Sequence, residues 1–326
     1  MDSDHGHGGS GQRHDVNFAG LFHLLVIYFV WGSTYLAIRM AVRDGAGFTP
    51  FLLGFARVLP ASLILLLMAR LRGRRVLPEK QEWITLVLSG ILMWIGGNGV
   101  VNWAEQHVDS GYTALIVGAL PLWTAVLEAI LDRRMPSWRL AFGLFVGFGG
   151  LVVLTWPVIR NQGGPDAIAA MGLVLGSASW GGGSVLIARR PVKLGPIATS
   201  GWQQLFAVAG FGLLALLFQE RMGMPSNQAI GAYFYLVLFG SLIAFTSFMA
   251  VLKLLPTTLV FTYAYVNPVV AVFLGWLILR EAVNWYTIIG AVLVLAGVAG
   301  VFEDRRHRAQ QSRRDAIPPA NSLPSQ

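Results

Sequence analysis

Residues 29–39 read FVWGSTYLAIR, and residues 178–190 read ASWGGGSVLIARR. Each sets Trp-Gly before small residues, a short apolar run and a closing Arg. A longer pair shows how far the echo extends. PLWTAVLEAILDRRMPSWRLAFGLFVGFGG begins at Pro121, and PVVAVFLGWLILREAVNWYTIIGAVLVLAG begins at Pro268. Without gaps, Pro121 matches Pro268, Leu127 matches Leu274 and Arg133 matches Arg280. Trp138 then matches Trp285, Gly143 matches Gly290 and Gly150 matches Gly297. Two apolar segments share leucines by chance. Pro, Arg, Trp and two Gly in one register mark an internal repeat.

The repeat sits in an apolar chain. Of its 326 residues, 55% are hydrophobic and 12% charged, against about 25% charged in ordinary soluble domains. The apolar runs approach the ~20 residues that cross a bilayer, which makes this an all-α integral membrane protein. The first run, from about Phe18 to Met40, has no small-residue cleavage site behind it and is too long for a signal-peptide core, so it reads as a retained span. The absence of cysteine excludes disulfides and thiolate metal sites.

Apolar runs between punctuation predict ten spans, at 18–40, 50–71, 83–104, 110–131, 138–156, 167–188, 196–218, 229–252, 257–279 and 285–302. Ten is even, so both termini share a side. Of the 24 Lys and Arg, eighteen then fall on the side of the termini and five on the other, with Arg57 inside a span. This asymmetry puts both termini in the cytoplasm. The net charge of +8 is thus an orientation signal rather than a nucleic-acid surface. The expected location is the cell (inner) membrane.

Five spans per repeat is an odd number, so the copies must be inverted. The loops agree. Five basic residues from Arg70 to Lys80 face a lone Arg221 in the equivalent loop, and Arg43 beside Asp44 faces RRPVK at 189–193. The expected organisation is a disordered cytoplasmic tail over 1–17, five-helix repeats over 18–156 and 167–302, and a second disordered tail over 303–326. Inverted-topology repeats are the signature of secondary transporters, with the solute site near the midplane where the repeats meet.

With FVWGSTYLAIR, a Pro- and Arg-bearing second span, and YVNPVVAVFLGWLILREAVNWYTIIGAVLVLAGV at 265–298, the chain resembles the drug/metabolite transporter superfamily, EamA type. Within it, the chain is similar to amino-acid exporters of the YddG kind. The resemblance covers about 18–302. It implies ten helices, alternating access, export of small metabolites (often amino acids), and a central cavity lined mainly by spans 1, 3, 4, 6, 8 and 9.

Polar and aromatic residues inside spans are costly unless they face protein or a water-filled path. Trp94, Asn98, Asn102 and Glu105 recur along one side of the third span. Ser177 and Trp180 share a face of the sixth, with Gly181 and Gly182 inside a glycine turn that leaves room beside the indole. Tyr263 and Asn267 share a face of the ninth. The predicted solute contacts are therefore Trp94, Asn98, Asn102, Trp180, Ser177, Tyr263 and Asn267. Pro268 cannot donate to the Ala264 carbonyl and kinks its helix; Pro121 repeats the device. Pro121, Pro268, Gly181 and Gly182 are the candidate gating positions.

Arg57 lies roughly 10 Å into its span at 1.5 Å per residue, where it either bonds carbonyls and snorkels or attracts a substrate carboxylate. Its counterpart is Gln203. No Asp or Glu lies near the middle of a span, so transport is expected to need no buried acid, with Glu105 as the nearest substitute.

Other classes fit worse. The histidines at 5, 7, 14, 23, 107 and 307 are not central to any span, and no carboxylate pair shares a membrane face, which argues against an intramembrane enzyme and against a metal or other cofactor. A drug or nucleotide-sugar carrier of the same superfamily is the alternative, but a phosphate-bearing substrate wants several buried cations. The expected partners are a small solute such as an amino acid and the lipid bilayer, with no nucleic acid and a monomeric chain.

Overall fold

Helix starts and stops follow the repeat. Pro50 and Pro196 each open a helix, a position whose N–H has no intrahelical partner to lose. The computed structural model describes residues 18–157, 160, 164–190, 192–255 and 262–315. Its helices are α1 (Phe18–Val42), α2 (Pro50–Leu71), α3 (Glu82–Ala104), α4 (Ser110–Leu131) and α5 (Trp138–Pro157). The second repeat supplies α6 (Gly164–Arg189), α7 (Pro196–Leu217), α8 (Asn227–Phe248), α9 (Tyr263–Leu279) and α10 (Trp285–Asp315). Among the described residues nine helices are long and apolar enough to cross a membrane, and α9 is a shorter apolar helix. The start predicted for the ninth span, 257–261, lies outside the described residues, as does the tail 1–17.

One boundary needs correcting. The sequence reading ends the last span at 302 and begins a disordered tail at 303, but α10 runs on to Asp315. The extension EDRRHRAQQSRRD is polar yet rich in Arg, Gln and Ala, which are good helix formers, and no Gly or Pro occurs before Pro318. Low apolar content removes the drive to pack without stopping a helix already nucleated in the span. Residues 316–326 lie outside the described residues.

Helix ends also pair across the repeats. Gly73, Arg133, Gln219 and Arg280 take φ of 64°, 51°, 50° and 60° just after α2, α4, α7 and α9. In the first three the next amide reaches back five residues: Arg74 N to Ala69 O at 3.0 Å, Arg134 N to Ala129 O at 3.1 Å and Glu220 N to Ala215 O at 2.9 Å. These are Schellman closures, which need a left-handed residue. Arg133 and Arg280 are the arginines matched in sequence.

The packing is symmetric in the same sense. α1 packs on α8 and α9, while α6 packs on α3 and α4; α2 pairs with α7, and α5 with α10. Exchanging the repeats leaves this pattern unchanged, so the fold is two inverted five-helix repeats. The α5–α10 contact uses the glycines matched in sequence. A Cβ on Gly150 would lie 2.6 Å from the Val294 nitrogen, and one on Gly290 would lie 3.1 Å from the Gly150 carbonyl. Small residues that let backbones approach are the usual device for joining helices in lipid. Outward faces carry exposed Phe22, Leu67, Phe145 and Leu216. Trp138 and Trp285, also exposed, open α5 and α10 at opposite ends of the bundle, where aromatic belts form.

α3 and α8 share a further feature. Each contains a π-helical stretch, Ile91–Gly99 in α3 and Leu236–Ile243 in α8. Such stretches are rare and concentrate at functional sites.

Candidate solute site

The π-helical stretches of α3 and α8 contribute to the wall of a central cavity of about 930 Å³, counting the open space at its mouth; a third such stretch, Gly275–Leu279 of α9, does not line it. Its walls come from α1, α2, α3, α4, α6, α8 and α9. Both repeats contribute to it.

Six of the seven predicted contact residues line it: Trp94, Asn98, Ser177, Trp180, Tyr263 and Asn267. Trp94 and Trp180, one from each repeat, have ring centroids 6.2 Å apart. Phe245 lies 6.5 Å from Trp94, and Trp31 lies 5.6 Å from Tyr263 edge-on. The Asn98 amide makes no hydrogen bond among the described residues and is partly exposed to the cavity. Ser177 has only a long contact with the Val117 carbonyl, at 3.5 Å. With its nitrogen turned toward α1, the Asn267 amide donates to the carbonyls of Tyr28 at 3.2 Å and Tyr263 at 3.3 Å. It thereby ties α9 to α1 one residue before the proline.

Asn102 is not at the cavity. It is buried, and its amide nitrogen donates to the Pro50 carbonyl at 3.2 Å, anchoring the start of α2. The π-helical stretch Ile91–Gly99 resets the register of α3, so a count made on a regular α-helix does not carry through to Asn102, and Val101 takes that place in the wall. Glu105 lies beyond Val101, fully buried, with neither carboxylate oxygen hydrogen-bonded. Its backbone carbonyl accepts from the Arg39 guanidinium.

The glycine turn of α6 also differs from expectation. Gly181 packs on Leu120, Trp123 and Thr124 of α4, and Gly183 packs on Met93 of α3. Gly182 has only Leu92 nearby, at 4.0 Å from an added Cβ. Gly181 and Gly183 thus seat α6 against α4 and α3, and none of the three glycines lines the cavity. The glycines in the cavity wall are Gly97, Gly118, Gly176 and Gly240.

Pro268 of α9 comes close to the break in α4. α4 is interrupted at Gly118 and Ala119, with Pro121 in the first turn of the segment that resumes at Leu120. Pro268 lines the cavity, and its ring Cγ would lie 2.8 Å from a Cβ on Gly118. Pro121 itself is buried away from the cavity.

Residues omitted from the predicted site include Trp31, Thr34, Tyr35, Arg57 and Phe245. Trp31 was legible as the repeat equivalent of Trp180. Phe245 gave no signal among the many aromatics of the spans.

At the end of the bundle away from the termini, carboxylates from one repeat cap helices of the other. Glu281 accepts from the amides of Ser110 at 2.9 Å and Gly111 at 3.1 Å, which start α4. Glu220 accepts from the amides of Phe51 at 3.1 Å and Leu52 at 2.9 Å, which start α2. Orphan N–H groups and the positive helix end favour a carboxylate there.

The model of the EamA-like transporter family matches this chain twice, over residues 18–156 and 167–303. The "Uncharacterized inner membrane transporter YedA" of Escherichia coli (strain K12) is 34% identical over 77% of this chain and 80% of its own length. The "Uncharacterized transporter YoaV" of Bacillus subtilis (strain 168) is 22% identical over 84% and 94%. "Protein PecM" of Dickeya dadantii is 23% identical over 82% and 87%. A solved crystal structure superposes with a TM-score of 0.62 at 21% identity, covering 92% of this chain and 99% of the other, a likeness of fold. With the family model on both repeats and a curated transporter at this identity, the chain belongs to the EamA-like transporter family of the drug/metabolite transporter superfamily, a family of multi-pass membrane transporters.

Proposed function

We propose that this transporter exports amino acids, aromatic and large apolar ones among them, by alternating access between its two inverted repeats. In this reading it lies in the cell (inner) membrane with both termini in the cytoplasm, and the monomer is the transporting unit, since one chain supplies every wall of the cavity. The observation that carries the reading is the aromatic wall formed by Trp94 and Trp180 from opposite repeats, with the unpaired Asn98 amide beside it. An aromatic or apolar side chain gains about 0.5–1.5 kcal/mol from such rings beyond area burial. An Asn amide offers both donors and an acceptor, which suits a zwitterion. A nucleotide-linked sugar is disfavoured, because among the described residues Arg57 alone is a basic residue lining the cavity and a diphosphate calls for several.

The test is counterflow of labelled amino acids in liposomes containing the purified full-length chain. Phenylalanine, tryptophan and leucine should exchange against their unlabelled forms. Trp180→Ala should weaken exchange of these solutes more than that of serine. Asn98→Ala should raise the half-saturation constant of all of them at least tenfold, the loss of one hydrogen bond to a charged group being about 1.5–3 kcal/mol. Parent-like exchange by both variants would remove the site from the account. Absence of any amino-acid exchange by the parent would remove the substrate.

A further inference from the structure

Among the described residues lining the cavity, Arg57 alone carries a charge. Arg57 is 6% exposed, and among the described residues it forms no ion pair. Its Nε donates to the Ser241 hydroxyl at 2.9 Å, which fixes the guanidinium plane beside Gly240 in the cavity wall. A Cβ on Gly240 would lie 3.2 Å from an Arg57 Nη, so that glycine gives the guanidinium its room. None of the lining residues is an acid.

The other repeat shows what this position does when it is only structural. Gln203 of α7 is the counterpart of Arg57 of α2. Its amide donates to the Ser89 hydroxyl of α3 at 2.9 Å, as Arg57 donates to Ser241 of α8. Gln203 is 3% exposed and does not reach the cavity. The same helix-to-helix tether is thus made once by a neutral amide and once by a guanidinium. Packing explains the tether in both repeats and leaves the charge in one of them without a structural purpose. A buried cation with no counter-charge is costly, and the cost falls when an anion enters. A guanidinium presents paired N–H donors in the geometry of a carboxylate.

Building on the amino-acid reading above, we infer that Arg57 is the carboxylate-binding residue of the cavity and that the substrate class is set by an organic monoanion with an apolar or aromatic body. The carboxylate supplies the missing counter-charge, and the rings of Trp94 and Trp180 take the body. No acid among the described lining residues awaits an ammonium group, so an amine is tolerated without being required. An aryl carboxylate lacking the amine should therefore bind as an amino acid does, while an aryl amine lacking the carboxylate should not.

The experiment uses the full-length chain in liposomes, labelled phenylalanine counterflow, and two competitors of similar shape. 3-Phenylpropionate should inhibit within about threefold of unlabelled phenylalanine, and 2-phenylethylamine at least tenfold more weakly. Arg57→Gln places the residue of the second repeat in the first. It should keep the folded monomer by size-exclusion chromatography, raise the half-saturation constant for phenylalanine at least tenfold and abolish the preference between the competitors. Arg57→Lys should restore part of that preference. Equal inhibition by the two competitors, or stronger inhibition by the amine, overturns the inference while leaving amino-acid export standing. If the parent carries no amino acid, the export reading fails, and the inference is then decided by thermal shift in detergent. A melting temperature raised by 3-phenylpropionate and not by 2-phenylethylamine supports it; equal shifts, or none, overturn it. If Arg57→Gln does not fold, the competitor series on the parent decides alone.

Discussion

Glu105 shows how much depends on a single position. It lies one residue past the end of α3, fully buried, with both oxygens unpartnered. Burial and the nearby Glu281 carboxylate hold its carboxyl well above the usual carboxylate range, against the opposing pull of the Arg39 guanidinium. Tyr35 borders it on the cavity side, and Asp109 pairs with Arg39 at 3.9 Å. Because the folded protein holds this proton more tightly than the unfolded chain, the residue's contribution is fully present below the ordinary carboxylate range and is lost as pH rises. Glu105→Gln, which mimics the protonated acid, should therefore gain in melting temperature relative to the parent between pH 5 and pH 8. It should also retain substantial counterflow, as the expectation of acid-independent transport requires. Intrinsic-fluorescence melts at the two pH values check the first point. A parent that gains relative to Glu105→Gln as pH rises would mean the carboxylate is ionised and stabilising.

At the scale of the element, the helix ends lend themselves to a clean test. Gln219 adopts φ 50° at the close of α7, where the equivalent end of α2 uses Gly73. A non-glycine residue in the left-handed region costs roughly 1 kcal/mol. Gln219→Gly should thus raise stability by up to about 0.5 kcal/mol in reversible unfolding, net of the entropy glycine adds to the unfolded chain; a loss of stability would mean the Gln219 side chain contributes something the backbone geometry does not reveal. Helix number and most limits were legible because span length and punctuation follow directly from bilayer thickness and from Pro and Gly chemistry; the polar extension of α10 to Asp315 was not, since nothing in a bilayer argument sets where a helix ends outside it. Inversion was legible because an odd number of spans per repeat leaves no other arrangement. The face of α3 was legible at Trp94 and Asn98 and lost at Asn102, past a π-helical stretch that regular helical spacing does not anticipate. The packing of Gly181 and Gly183 on α4 and α3 was not legible, because sequence does not say which neighbouring helix fills a missing side chain. Arg57 could be placed in depth but not in partner, since Ser241 lies on a helix 184 residues away.

At the scale of the whole molecule, the account makes a claim about sides and a claim about access. The chain has no cysteine, so single thiols report cleanly. At Ser226 a cysteine should label from outside intact cells, whereas at Gly73 and Lys193 labelling should require permeabilisation. Opposite accessibility of Gly73 and Lys193 would break the inverted arrangement, because these positions belong to different repeats on the same predicted side. Access to the cavity is the central claim, and Ser177 is the position to probe. It lines the wall, and its hydroxyl has only the 3.5 Å contact with Val117 to lose. The most direct measurement is the labelling rate of Ser177→Cys by an impermeant thiol reagent applied separately to each face of oriented vesicles, with and without phenylalanine. Alternating access through this cavity predicts labelling from both faces, slowed on both by the solute. Labelling from one face only, at a rate phenylalanine leaves unchanged, would contradict it.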